Sequence, residues 1–516
     1  MLRHLASALS RRIPAQSNQK LSAFGSLLSK RSKSTLANTT VDVHSVLPAS
    51  LLSSAKATGQ LLSSKHAYST EALVADEDIE HQAETKITTI STGLRVATEC
   101  TGGETVTVSL WIDAGSRFET PETNGTAHFL EHMAFKGTSS RTQNGLEIEI
   151  ENMGGHLNAY TSRETTVYYA KVQKQDVEKA MNILADILQQ STLPPNQIER
   201  ERSVILREME EVNSNMEEVV FDHLHETAFG DSPLAATILG PVQNIQSITR
   251  TMLKDYITKN YVAPRIALVA VGGVDHADIV AQAERQLTVF PRDDNVVKLT
   301  KPKFLSRDMH TIDDKQDLAH VGIGFEGSAW SNPDFFELMI AATIVGNWNR
   351  AFGHGANVTS QLAKNLGTRG LAHSYMAFHT CYNDTGLWGV YITADRDTLP
   401  QAVVEVQREV VRLCEEVTEE EVEAAKLKYK TQTLMSLENT TAISEEIGRQ
   451  LLSLGRRMTP AETVARIGAV TAQSVKEAMH KYVYEKDPAV VGIGQVHYLP
   501  KASSLRASPS FLPPAV

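Results

Sequence analysis

Residues 126–137 read TAHFLEHMAFKG, and three of them could do metal chemistry together. His128 and His132 stand four apart, so on a helix both imidazoles project from one face, with Glu131 beside it. Two neutral imidazoles at that spacing can grip one Zn2+ and leave coordination positions open. The order H-x-x-E-H is the reverse of the commoner H-E-x-x-H. Taken alone, the motif equally describes a solvated helix face carrying two surface histidines. A catalytic zinc needs a third protein ligand, usually a carboxylate. The run from Gln197 to Val220 supplies candidates, because Glu201, Val204, Ile205, Glu208 and Val212 recur at helical spacing and share a face. Carboxylates rarely sit among apolar neighbours on a packed face unless they are paired or metal-bound. Periodicity does not choose between Glu201 and Glu208. Glu199, Glu210, Glu211 and Glu217 read as solvated acids.

These residues need elements to hold them. Val106–Ile112 (VTVSLWI) is a β-rich run, followed by a loop with Gly115, Pro121 and Gly125 and a helix from about Thr126. Thr161–Val172 is again β-rich, Asp176–Gln190 and Gln197–Phe229 have helical patterns, and Ile266–Val274 reads as a buried strand. A weaker copy of the pattern follows. Tyr261-Val262 and ALVAVGGV from Ala267 recur as Tyr482-Val483 and AVVGIGQV from Ala489, about 220 residues later. The organisation expected is therefore an α+β fold of two homologous halves. It comprises a leader over 1–75, a first half over 80–292, a linker over 293–310, a second half over 311–500 and a tail over 501–516.

Composition narrows the function. The chain has 516 residues and a formal charge of −11, but residues 1–70 carry nine Lys/Arg against one acid, Asp42, so the remainder is at −19. A body that acidic argues against nucleic acid, whose phosphates call for clustered cations. Cys100, Cys381 and Cys414 are far apart and form no C-x-x-C pair, which argues against a thiolate metal site or redox dithiol. The apolar runs Ile266–Val271 and Leu338–Val345 are too short to span a bilayer. In a helical Met1–Ile13, Leu2, Leu5, Leu9 and Ile13 share one face, with Arg3, His4 and Arg11 opposite. An amphipathic, Arg- and Ser-rich, acid-poor leader reads as an organellar transit peptide, mitochondrial because the Arg-bearing turn begins at the N-terminus.

The inverted motif, its spacing to Arg207-Glu208 and the intervening GGHLNAYT of Gly154–Thr161 resemble the pitrilysin-type metallopeptidases, over essentially all of residues 80–500. The resemblance implies the pitrilysin-like fold of two α/β-sandwich-like halves, one Zn2+ held by His128, His132 and Glu208, and Glu131 as general base. It implies that Glu201 is a supporting acid and that Asn158, Ala159 and Tyr160 lie on an edge strand that takes the substrate. Phe135 matches an apolar wall next to the cut. Glu218 and Asp222 match positions that receive a substrate arginine. Within the family the resemblance is to heterodimeric peptidases that remove import presequences in the mitochondrial matrix, and there to the β-type chain. The partners implied are an α-type subunit and presequence-bearing precursors. Related chains are core subunits of the respiratory cytochrome reductase complex (complex III), at the matrix face of the inner membrane, which is the alternative reading. The second half carries Phe335-Phe336-Glu337-Leu338-Met339 where the motif would recur, so no metal is expected there. His373 stands where many members have a tyrosine, and no catalytic role is expected of it. The glycine-rich loop of the α-type chain is not found, so a partner is expected to be required.

Overall fold

The computed structural model describes residues 83–293, 297, 299–353 and 358–512. The transit leader expected over 1–75 lies outside them, as do parts of the expected linker and tail.

Among the described residues twelve strands form two six-stranded sheets. The first contains β1 (Thr85–Thr89), β2 (Arg95–Cys100), β3 (Thr105–Ile112), β4 (His156–Thr161), β5 (Thr166–Gln173) and β6 (Ile266–Gly272), in the order β1-β2-β6-β3-β5-β4. The second contains β7 (Asp308–Ile312), β8 (Ala319–Gly327), β9 (Asn347–Asn349), β10 (Ser374–Cys381), β11 (Gly386–Ala394) and β12 (Ala489–Gly494), in the order β7-β12-β8-β11-β10-β9. Five strands correspond in order, including the parallel pairs β2 with β6 and β7 with β12. The edges differ. Among the described residues β4 pairs only with β5, which leaves its outer edge open, whereas in the second half β9 covers the equivalent edge of β10.

Eight helices position the cores and the site: α1 (Thr126–Ala134), α2 (Val177–Gln189), α3 (Pro195–Asn213), α4 (Met216–Phe229), α5 (Phe335–Val345), α6 (Leu399–Glu415), α7 (Thr440–Leu454) and α8 (Ala472–Tyr482). Each sheet is buried on both faces, which is why β3 and β6 read as nearly continuous apolar runs. On one face Val106, Val108, Leu110 and Ile112 pack with Phe129 and Met133 of α1 and Ile183, Leu184 and Ile187 of α2. In the second half α5, α6 and α8 fill the same place. The other faces are exchanged. Trp111, Val167, Val269 and Val271 of the first sheet pack with Ile443, Ile447 and Leu451 of α7, a helix of the second half. Leu387, Tyr391, Val491 and Ile493 of the second sheet pack with Val220, Leu224 and Ala228 of α4, a helix of the first. Each half therefore completes the other's core.

Three expectations change. The run Gln197–Phe229 is two helices, broken at Ser214 and Asn215, where the Asn215 side chain accepts from the Glu217 N–H and starts α4. The segment 293–310 ends inside β7, which begins at Asp308 and gains its hydrogen bonds from β12. The described part of the tail is packed: Ala502, Leu505 and Ala507 are buried, and Gln407 Nε2 donates to the Ser504 and Arg506 carbonyls. Among the described residues, no helix is long and apolar enough to cross a membrane.

Candidate metal centre

The motif helix α1 begins after Gly125, whose φ of +101° is a left-handed conformation that favours glycine. Gly125 has no side chain to cap the helix, and a distant acid does so instead. Glu119, buried in the preceding loop, accepts from the Gly125 and Ala127 N–H groups and from Asn124 Nδ2. A carboxylate is the favoured partner of a helix N-terminus. Burial outweighs these bonds, however, and pushes the Glu119 carboxyl up to about 7. Nothing periodic marks Glu119 in the sequence; its role comes from the fold of the loop.

On α1 the rings of His128 and His132 lie 4.7 Å apart, and α3 crosses in front of them. Glu208 Oε1 is 3.7 Å from His128 Nε2, and Glu208 Oε2 is 3.2 Å from His132 Nε2. Ligand atoms from all three residues fall within 4.8 Å of one another, a grouping made by no other His, Cys, Asp or Glu residues among those described. Atoms placed tetrahedrally at zinc–ligand distances lie roughly 3.3 Å apart, so the spacing fits one ion. The residues also fit by type, as two nitrogens and one carboxylate oxygen with positions left over.

Glu201, two turns before Glu208, takes a different place. Its Oε2 is 3.3 Å from His132 Nδ1, the nitrogen facing away from Glu208, and its Oε1 is 2.8 Å from Lys136 Nζ. Holding Nδ1 leaves Nε2 as the nitrogen presented to Glu208. Lys136, one turn after His132, was not anticipated; its only signal is the i+4 spacing. Burial by itself would raise Glu201, but the bonds from His132 and Lys136 hold it below the ordinary carboxylate range. Glu208 behaves in the same way, with His128 and His132 overcoming the effect of burial. Burial would lower His132, yet its bonds to Glu201 and Glu208 raise it to about 9. Glu131 is half-buried, and its Oε2 is enclosed without a hydrogen-bond partner.

The raised His132 gives a pH prediction. In the metal-free chain the protonated ring stabilises the fold fully below its ordinary value of 6.5, and this stabilisation is lost as pH rises through about 9. A metal requires the neutral ring, so binding near neutral pH is expected to release about one proton, falling towards none above pH 9. Calorimetric titrations in buffers of different ionisation heat measure this directly.

The other expected residues lie around this cluster or apart from it. Strand β4 runs beside α1. On it Asn158 is exposed, and its Oδ1 accepts from the Ala159 N–H at 2.8 Å, occupying a donor that β5 does not use. Ala159 is buried, and Tyr160 donates to Glu445 Oε2 of α7 at 2.9 Å. Phe135, at the end of α1, packs edge-on against Tyr168 at 6.4 Å. Glu218 and Asp222 lie on α4 and are not members of the His–Glu cluster, and both are engaged. Glu218 Oε1 accepts from Asn215 Nδ2 at 2.9 Å, and Asp222 Oδ1 from Arg163 at 2.7 Å. In the second half His373 pairs with Asp395, while Tyr375 is buried on Ser360 and the Val345 carbonyl.

Comparison with known proteins agrees with this architecture. The family model described as insulinase (peptidase family M16) matches residues 95–242, and that of the peptidase M16 inactive domain matches residues 247–429. Mitochondrial-processing peptidase subunit beta from Homo sapiens is 49% identical over 431 residues, which are 83% of this chain and 88% of that protein. The subunit of the same name from Blastocladiella emersonii is 47% identical, covering 83% of this chain and 92% of its own length. Among solved structures, a chain of complex III2 from Candida albicans, Inz-5 bound, superposes with a TM-score of 0.74 at 24% identity, covering 82% of this chain and 99% of that one. This last likeness is one of fold.

Proposed function

Because the chain belongs to the insulinase family of peptidases, family M16, we propose that it is the catalytic, β-type subunit of a heterodimeric zinc endopeptidase that removes N-terminal presequences from proteins imported into mitochondria. The observation that carries this reading is the convergence, within 4.8 Å, of His128 and His132 of α1 with Glu208 of α3, where α1 lies beside the open edge strand β4. A scaffold has no use for that combination, nor for a buried carboxylate oxygen left unpaired at Glu131.

His128 Nε2, His132 Nε2 and Glu208 would hold the ion, and Glu201 orients His132 from behind. When bound, zinc supplies Lewis acidity towards the scissile carbonyl and lowers the pKa of water. Glu131 takes the proton of the attacking water on its free oxygen and returns it to the leaving amine. The extended substrate adds to the outer edge of β4, where Asn158 gives up the Ala159 N–H to it. Main-chain pairing of this kind tolerates many sequences, which suits presequences. Specificity then falls to side-chain subsites, with Phe135 as an apolar wall and Glu218 and Asp222 as acceptors of a basic residue. The working site is in the mitochondrial matrix, and the working form is the pair with an α-type subunit.

The test is cleavage of a presequence peptide by the chain with and without its α-type partner, and with a chelator. The pair is expected to cut, the single chain to be inactive, and the chelated pair to recover on adding zinc. Cleavage that survives chelation contradicts the reading. So does a zinc-loaded pair that never cuts; the fold would then serve as a structural core subunit of complex III.

A further inference from the structure

The turn that closes the β4–β5 hairpin carries Arg163, and it points onto the helix assigned above to basic-residue recognition. Arg163 is 8% exposed, and its Nη2 donates to Asp222 Oδ1 at 2.7 Å. Its Nε is buried without a partner. The Tyr382 hydroxyl lies against the guanidinium, and His225, also buried, bonds that hydroxyl. The neighbouring Glu164 is committed to Arg117 and to the Asn383 N–H. Asp222 is thus the carboxylate that Arg163 engages, through one of its two oxygens.

Glu218 stands four residues before Asp222, on the same face of α4. It too has one oxygen engaged, by Asn215 Nδ2. Both carboxylates are half-buried; Asp222 is oriented by the buried Arg163 and Glu218 by the exposed Asn215, and each keeps a second oxygen for a ligand. The charge on this face, Glu218, Asp222 and Arg163 together, is −1 rather than −2.

We propose that Arg163 is a specificity-determining residue: by taking one oxygen of Asp222 and cancelling one carboxylate charge, it leaves an acceptor matched to a single planar guanidinium and poor for other cations. The physical basis is the difference between arginine and lysine. A guanidinium presents several donors in a rigid fork and can bridge two separated oxygens, whereas an ammonium is a compact charge that responds mainly to the local potential. Halving the potential while keeping two oriented oxygens penalises lysine more than arginine. Arg163 is in this sense a repulsive element against the wrong ligand. The inference rests on the reading of Glu218 and Asp222 as the basic-residue subsite.

The experiment uses the chain assembled with its α-type partner and presequence peptides that carry arginine, lysine or citrulline near the cut. In Arg163→Met, the ratio of kcat/KM for arginine over lysine peptides is expected to fall about tenfold, chiefly through a lower KM for lysine. Arg163→Gln, which keeps a donor to Asp222 without the charge, is expected to move the ratio the same way and stands in should Arg163→Met not assemble. Arg163→Lys, which keeps the charge, is expected to leave the ratio within about twofold. An unchanged ratio in the uncharged variants, or an equal loss for every peptide, overturns the proposal. Glu218→Ala with Asp222→Ala separates the two levels. If that double variant still prefers arginine over citrulline as the wild type does, the subsite reading itself fails and takes the proposal with it.

Discussion

Replacing Glu131 with glutamine is expected to lower presequence cleavage by about 10²–10⁴-fold while leaving the metal in place. Glutamine matches glutamate in shape but cannot accept and return a proton. Metal retention follows because His128, His132 and Glu208 converge on one another without Glu131, whose Oε2 contacts no donor. The measurements are kcat for a presequence peptide and metal per chain on the same sample. Unimpaired cleavage removes Glu131 from proton transfer, and loss of metal along with activity makes it part of the ligand set instead.

The second large effect is on stability. Gly448 sits where α7 crosses the first sheet, and a Cβ there would fall 2.1–2.3 Å from ring atoms of Trp111. Trp111 is 3% exposed and held by its Nε1–H donating to Ser109, so the ring has little freedom to yield. The same helix approaches closely through Ser444, whose Oγ is 2.7 Å from Ser109 Oγ. Glycine is therefore required at 448 for space, not for backbone conformation. Gly448→Ala is expected to cost about 1–3 kcal/mol by overpacking, and more if α7 lifts from the sheet. Gly468, in the helix Pro460–Ala469, makes the control, since its nearest neighbour is Lys430 Nζ at an ordinary 3.7 Å. Gly468→Ala is expected to be neutral or stabilising by up to about 1 kcal/mol. Denaturant unfolding of both variants decides, and equal behaviour would mean that α7 does not depend on the close approach at Trp111.

Much of the site was legible because local rules govern it. Helical spacing puts His128 and His132 on one face, and the apolar strands around Val106 and Ile266 follow from a sheet covered on both sides. The recurrence of Tyr-Val and an apolar run in each half corresponds to β6 and β12, which occupy matching places in the two sheets. What escaped is what local rules leave degenerate. Glu201 and Glu208 are two helical turns apart, so periodicity puts both on one face. Only the crossing of α3 over α1 decides which reaches Nε2 and which reaches Nδ1. The amphipathic patterns of α4 and α7 give an apolar face but not the sheet it covers, and each lies on the opposite half's sheet. β9 is three residues long, too short for a periodic signal, yet it is what closes the second half's edge. The salt bridge of Arg163 with Asp222 joins a hairpin turn to a helix 59 residues on, a contact no motif encodes.

Metal-edge X-ray absorption on the zinc-loaded chain, compared with Glu208→Gln, tests the account at its centre. The result expected is one ion with two imidazole nitrogens and a carboxylate oxygen at about 2.0–2.2 Å in the wild type, and the same two nitrogens with the carboxylate contribution lost in the variant. An ion that lacks either imidazole, or a coordination shell that Glu208→Gln leaves unchanged, contradicts it.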